Sequence, residues 1–227
     1  MKRGLAESPS ATSGIADRER KAAPVLNELA RLYPDADCAL DHADPWQLLV
    51  ATVLSAQSTD ARVNLVTPEL FRRFPRALDM AEADQTEIEA EIRSIGLFRN
   101  KARHLRGAAR LIVEEHAAEV PSTMSDLIRL PGVARKTANV VLGVCWGIAE
   151  GIVVDTHVAR LAWRLGLSVE RRDVRRIEIE LMNLVPKHDW IAISHRLIRH
   201  GRLVCSARSP RCPTCALAAL CPHFSSS

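Results

Sequence analysis

A chain of 227 residues, 47% hydrophobic and 26% charged, holds enough apolar material for one large core or two smaller ones. No apolar run reaches the roughly 18 residues of a membrane span, so no membrane is expected among its partners. The formal net charge of +4 is unevenly spread: from Trp190 onward there is no Asp or Glu, while Arg196, Arg199, Arg202, Arg208 and Arg211 give +5 and leave the rest at −1. A one-sided basic end is the electrostatic footprint of a polyanion binder.

In chain order, the start "MKRGLAESPSATSGIADRER" is polar and mixed in charge, and predicts a flexible tail over residues 1–20. It has no apolar core for a secretory signal, and Glu7, Asp17 and Glu19 argue against a transit peptide. An intracellular setting makes the six cysteines ligands or core residues rather than disulfides. Asp44-Pro45 reads as an N-cap and first helical position, followed by the nearly all-apolar "WQLLVATVLSAQ" of a buried helix over 46–57. Asp60 is expected to cap a helix to about Arg73, and further helices are expected over 87–96, about 99–116, from Ser122 or Thr123 to Arg129, and from the segment "LPGVARKTANVVL". Three more follow from Asp155 to Leu165, Asp173 to Leu184 and Asp189 to Val204. Alternating strand patterns are scarce, and "GIVV" (151–154) is too short to count. The fold class is therefore all-α.

Three constellations carry chemistry. The first is helix, Leu130-Pro131-Gly132-Val133-Ala134, helix: a tight hairpin that turns the N–H groups of its second helix outward, where they bind phosphate without reading sequence. Alone, such a turn is more often only a turn. The second is Lys136 with Asp155. A lysine amine attacks only when neutral, and partial burial with the positive end of a helix would press it that way. A snorkelling surface lysine and a helix-capping aspartate are the plainer readings of the pair. The third is Cys205-x6-Cys212-x2-Cys215-x5-Cys221. Structural zinc usually takes two short-spaced pairs, so this irregular single loop suits the larger cage of a [4Fe–4S] cluster better than zinc. Cys38 and Cys145 lie outside it and read as small packing residues.

From about Leu26 to Phe224 the chain resembles the endonuclease III family of helix-hairpin-helix DNA glycosylases and AP lyases. The resemblance rests on "LLVATVLSAQSTD", "IGLFRNKA", "LPGVARKTANVVLGV", "VVDTHVARLAWRLGL", "LIRHGRLVC" and the four-cysteine loop, in that order. It implies a nucleophilic Lys136, a partner Asp155, and [4Fe–4S] ligands at Cys205, Cys212, Cys215 and Cys221. Gln57 and Leu97 are implied to enter the duplex as the damaged nucleotide leaves. Leu130, Gly132, Val133, Ala134, Arg208 and Arg211 are expected on the DNA.

The implied architecture is a six-helix barrel domain over 38–150 and a cluster domain from 21–37 with 151–227, the active site lying between them. The implied function is excision of oxidised pyrimidines from duplex DNA, then β-elimination through a lysine Schiff base, by a monomer in the bacterial cytoplasm at the nucleoid. The implied partner is double-stranded DNA carrying oxidised pyrimidines or abasic sites. Two positions depart from the family pattern: Ala134 replaces a usual second hairpin glycine, and Phe98-Arg99-Asn100 replaces a usual Tyr-containing sequence. The rival readings are a monofunctional mismatch glycosylase, against which Lys136 argues, and a non-catalytic DNA-binding module, against which the joint presence of Lys136 and Asp155 argues. No catalytic role is expected of His157, His195 or His200.

Overall fold

In the computed structural model, which describes residues 11–225, the chain divides into two compact units: Cys38–Glu150, and the residues up to Asp37 together with those from Gly151 onward. Each has its own apolar core. Among the described residues there is no strand, and "GIVV" runs as extended coil with Gly151, Ile152 and Val154 buried.

The unit Cys38–Glu150 holds α2 (Pro45–Ser55), α3 (Asp60–Arg73), α4 (Ala77–Glu82), α5 (Gln85–Glu91), α6 (Phe98–Glu115), α7 (Met124–Leu127) and α8 (Arg135–Trp146). Helix α2 packs on α3, α6 and α8. Every residue from Leu48 to Leu54 is buried, as expected for a helix apolar all round. Asp44 caps it by accepting from the Gln47 N–H at 2.8 Å, and Pro45 fills the first position, where a missing N–H costs nothing. Helix α3 is capped by Thr59, one residue before the expected Asp60, because the threonine hydroxyl accepts from the Arg62 N–H at 3.2 Å. The 87–96 helix is shorter than its pattern. A capping box of Asp84 and Glu87 opens α5, and the chain leaves the helix at Ile92, while Ile88, Ile92 and Ile95 still reach the core. On α6, Lys101, Ala102, Leu105, Ala109 and Ile112 form the buried stripe.

The other unit holds α1 (Ala11–Leu32), α9 (Thr156–Arg164), α10 (Val174–Leu184), α11 (Trp190–Leu203) and α12 (Pro222–Ser225), with short 3₁₀ turns at Cys212–Thr214 and Ala218–Leu220. Helix α1 begins inside the segment read as a tail; residues 1–10 of that tail lie outside the described residues. The physical reason is cooperative: Ala22, Val25, Leu26 and Leu29 anchor the helix at i, i+3, i+4 and i+7, and extending an existing helix is far cheaper than nucleating one. Helix α11 packs on α1 and α9.

Candidate active site and cysteine cradle

In the first unit the hairpin Ile128–Ala134 joins α7 to α8. Gly132 has φ +81°, and a Cβ there would stand 2.8 Å from the His104 Cβ, so two independent constraints demand glycine. Pro131 in turn packs against Gly107 of α6, where an added Cβ would meet its Cγ at 3.2 Å. Leu130 and Val133, expected on the DNA, have side chains buried in the core, and the Val133 N–H is spent on the Leu130 carbonyl at 3.1 Å. These two side chains tether the hairpin to the core of the unit. Ala134 is the N-cap of α8 at φ −90°, ψ 168°, extended backbone that any residue adopts, so the missing second glycine introduces no strain. It offers no side-chain cap to the first-turn N–H groups of α8. Lys136 stands in that turn and is exposed, where partial burial was expected.

Gln57 and Leu97 are both exposed and both left-handed, at φ 56° and 59°. Such backbone is uncommon for non-glycine residues. The two loops are neighbours: a Cβ on Gly96 would lie 3.8 Å from the Gln57 carbonyl. Lys101, only 5% exposed, donates from Nζ to the carbonyls of Leu54 (2.8 Å) and Ala56 (2.6 Å) and to the Ser58 hydroxyl (3.3 Å). Burial draws its pKa below the ordinary lysine range. Sequence reasoning passed over this residue; the signal was a lysine four residues before Leu105 on an otherwise apolar stripe.

In the second unit Asp155 is half-buried and caps α9, accepting from the Val158 N–H at 2.8 Å. Its helix carries Arg160 and Arg164 one turn apart. Arg160 donates to the carbonyls of Gly201 (3.1 Å) and Cys205 (3.0 Å), and Arg164 to Cys205 Sγ (3.2 Å) and to the carbonyls of Ser206 (2.8 Å) and Ala207 (3.0 Å). Burial, with Arg160 and Arg202, holds His157 below the usual histidine range against the pull of Asp155. Neither arginine stood out in the sequence.

Cys205, Cys212, Cys215 and Cys221 line one hollow, together with Arg164, Leu165 and His200. None of the four is in a disulfide. His200, 2% exposed, lies 2.8 Å from the Tyr33 hydroxyl through Nδ1 and 3.5 Å from Cys215 Sγ through Nε2. With the phenol donating to Nδ1, the Nε2–H is left for the sulfur. Burial, reinforced by the other three thiols, pushes Cys215 up. Among the described residues no group of His, Cys, Asp or Glu is arranged to hold a single metal ion. Arg208 and Arg211, in the loop between the first two cysteines, are exposed. Cys38 and Cys145 pack against the core of the first unit, and burial pushes the Cys145 thiol up to about 11, which makes it inert.

A helical protein with a phosphate-type hairpin, an exposed lysine directly after it and a four-thiol cradle belongs to the class of helix-hairpin-helix DNA-repair proteins. The profile of the HhH-GPD superfamily of base excision DNA repair proteins matches residues 50–187. The endonuclease III of Synechocystis sp. is 54% identical over 213 residues, covering 94% of this chain and 97% of that protein. The endonuclease III of Bacillus subtilis is 45% identical over 196 residues, covering 86% and 89%. A solved structure of a trapped endonuclease III–DNA covalent intermediate superposes with a TM-score of 0.86 at 43% identity, covering 92% and 97%. The chain belongs to the HhH-GPD superfamily and, within it, to the endonuclease III family.

Proposed function

We propose that this protein is a bifunctional DNA glycosylase and AP lyase of base excision repair that removes oxidised pyrimidines from duplex DNA and cuts the strand 3′ to the abasic site. The unit Cys38–Glu150 is read as the barrel domain with the hairpin, and the other unit as the cluster domain. The observation that carries the reading is Lys136, exposed in the first turn of α8 behind a hairpin whose glycine cannot be replaced. One element thereby grips the phosphate backbone and presents an amine at a fixed distance from the sugar.

The damaged nucleotide leaves the stack, and the Lys136 amine forms a bond to C1′ while the bond from C1′ to the base breaks, the base departing with the electron pair. Asp155 accepts a proton from the amine and stabilises positive charge on the sugar. Opening of the ring gives an imine; loss of a C2′ proton and of the 3′ phosphate then completes β-elimination. Cys205, Cys212, Cys215 and Cys221 hold a [4Fe–4S] cluster, which when bound supplies a covalent frame for the loop rather than a reaction step. Arg208 and Arg211 on that loop meet phosphates. The setting is the bacterial nucleoid and the active form a monomer; among the described residues no helix is long and apolar enough to cross a membrane.

The test is borohydride trapping on a duplex with one thymine glycol, beside an abasic-site duplex and the Lys136→Gln variant. A lysine-dependent covalent band on both duplexes supports the reading. Trapping that survives Lys136→Gln refutes the assignment of the nucleophile.

A further inference from the structure

Helix α2 ends in a four-residue turn, Ser55 to Ser58, closed by the Ser58 N–H on the Ser55 carbonyl at 3.0 Å. Ala56 at φ −57°, ψ 117° and Gln57 at φ 56° make it a type II turn. Type I and type II turns differ by a half-rotation of the central peptide, here the one joining Ala56 to Gln57. Type II puts the third residue at positive φ, for which glycine or asparagine is the usual choice. Glutamine in that position needs something outside the turn to hold the peptide over.

Lys101 supplies it. Its shortest hydrogen bond, 2.6 Å, is to the carbonyl of that central peptide, and the second, 2.8 Å, is to the Leu54 carbonyl at the negative end of α2. Rotating the peptide to type I would swing the Ala56 oxygen away and leave a buried ammonium short of a partner, a costly state in a low-dielectric interior. The same residue reaches the second loop through its backbone: the Lys101 N–H donates to the Leu97 carbonyl at 3.0 Å, the first hydrogen bond of α6. One residue therefore ties together the two left-handed loop tips.

We propose that Lys101 is a positioning residue for nucleotide extrusion: by holding the Ala56–Gln57 peptide in the type II orientation, and by bonding the Leu97 carbonyl, it aims Gln57 and Leu97 at the duplex as a pair. This rests on the reading that Gln57 and Leu97 enter the DNA. The Lys101 side chain touches no substrate and acts through Gln57, so the effect of replacing it vanishes when the glutamine side chain is gone, while the backbone bond to Leu97 is untouched by that replacement. A residue that merely stabilises the unit lowers activity regardless of what stands at position 57.

The experiment is a double-mutant cycle of Lys101→Met and Gln57→Ala on the full chain. Its readouts are single-turnover excision of thymine glycol and the fluorescence of 2-aminopurine placed beside the lesion, which reports unstacking. Lys101→Met is expected to slow excision and weaken the unstacking signal by about tenfold, with affinity for undamaged duplex within about twofold. The double variant is then no slower than Gln57→Ala. A double variant slowed by the product of the two single effects, or a Lys101→Met protein with wild-type rates, overturns the proposal. Should Lys101→Met fail to fold, Ser58→Ala removes only the 3.3 Å contact; a roughly twofold loss that disappears in the Gln57→Ala background supports the proposal, and a loss that persists there overturns it. The wild type separates the two readings: no excision and no trapped adduct refutes the glycosylase reading, whereas an active wild type with additive variants refutes the role of Lys101 alone.

Discussion

Leu97 gives the sharpest test of whether the loop tips are strained for function. Its side chain is 57% exposed and its backbone sits at φ 59°, ψ 30°. For an L-residue the left-handed region costs roughly 1–2 kcal/mol, which glycine escapes, though glycine loses roughly 0.5–1 kcal/mol more chain entropy on folding. Glycine at this position should thus be about 0.5–1 kcal/mol more stable than alanine, the reverse of their order inside a helix. Less than half of the leucine surface is covered, so Leu97→Ala is expected to lose about 0.5–1 kcal/mol and Leu97→Gly close to nothing. Calorimetry of a chain this size should then place the Gly variant roughly 1–4 °C above the Ala variant. Both variants should excise thymine glycol poorly and equally, because both lack the inserting side chain. An Ala variant melting at or above the Gly variant refutes the left-handed strain. A Gly variant excising at the wild-type rate removes Leu97 from the duplex.

Gly132→Ala should destabilise the first unit by about 2–3 kcal/mol and weaken DNA binding, since it combines left-handed strain with a contact on His104; urea melts and binding isotherms read both. Arg208→Ala with Arg211→Ala should make the slope of log affinity against log salt shallower by roughly 1.8, the release of two phosphate contacts; an unchanged slope excludes the loop from the interface. Burial holds His195 below the usual 6.5, with Asp37 pulling the other way. The unfolded chain therefore binds more protons than the folded one as pH falls through the ordinary histidine range, and stability drops there. His195→Gln should flatten that loss, as denaturant midpoints above and below this range would register. Replacing Cys212 with serine should remove the visible absorption of an iron–sulfur cluster and lower the melting temperature; a colourless wild type with stoichiometric zinc would refute the cluster assignment.

The buried run of α2, the caps at Asp44 and Asp155, and the proline-glycine hairpin were all readable in the sequence. They depend on local chemistry: periodicity, a short polar side chain before a helix, a residue with no Cβ. The four-cysteine loop was readable for the same reason, since its residues lie within one short stretch. Long-range contacts decided the rest. Leu130 and Val133 turned inward because the hairpin must be tethered to a core made by distant helices. Lys136 proved exposed because burial belongs to the packing and not to a helix position.

Arg160 and Arg164 face the cysteine loop 41 to 45 residues away. Lys101 caps a helix that ends 46 residues before it, and so fixes a turn whose own sequence favours no left-handed residue. Sequence alone determined most of the helical segments and the residues proposed to bear the chemistry. Only the tertiary structure decided how the chemistry is aimed, because direction is set by hydrogen bonds and packing between segments that sequence patterns treat as independent.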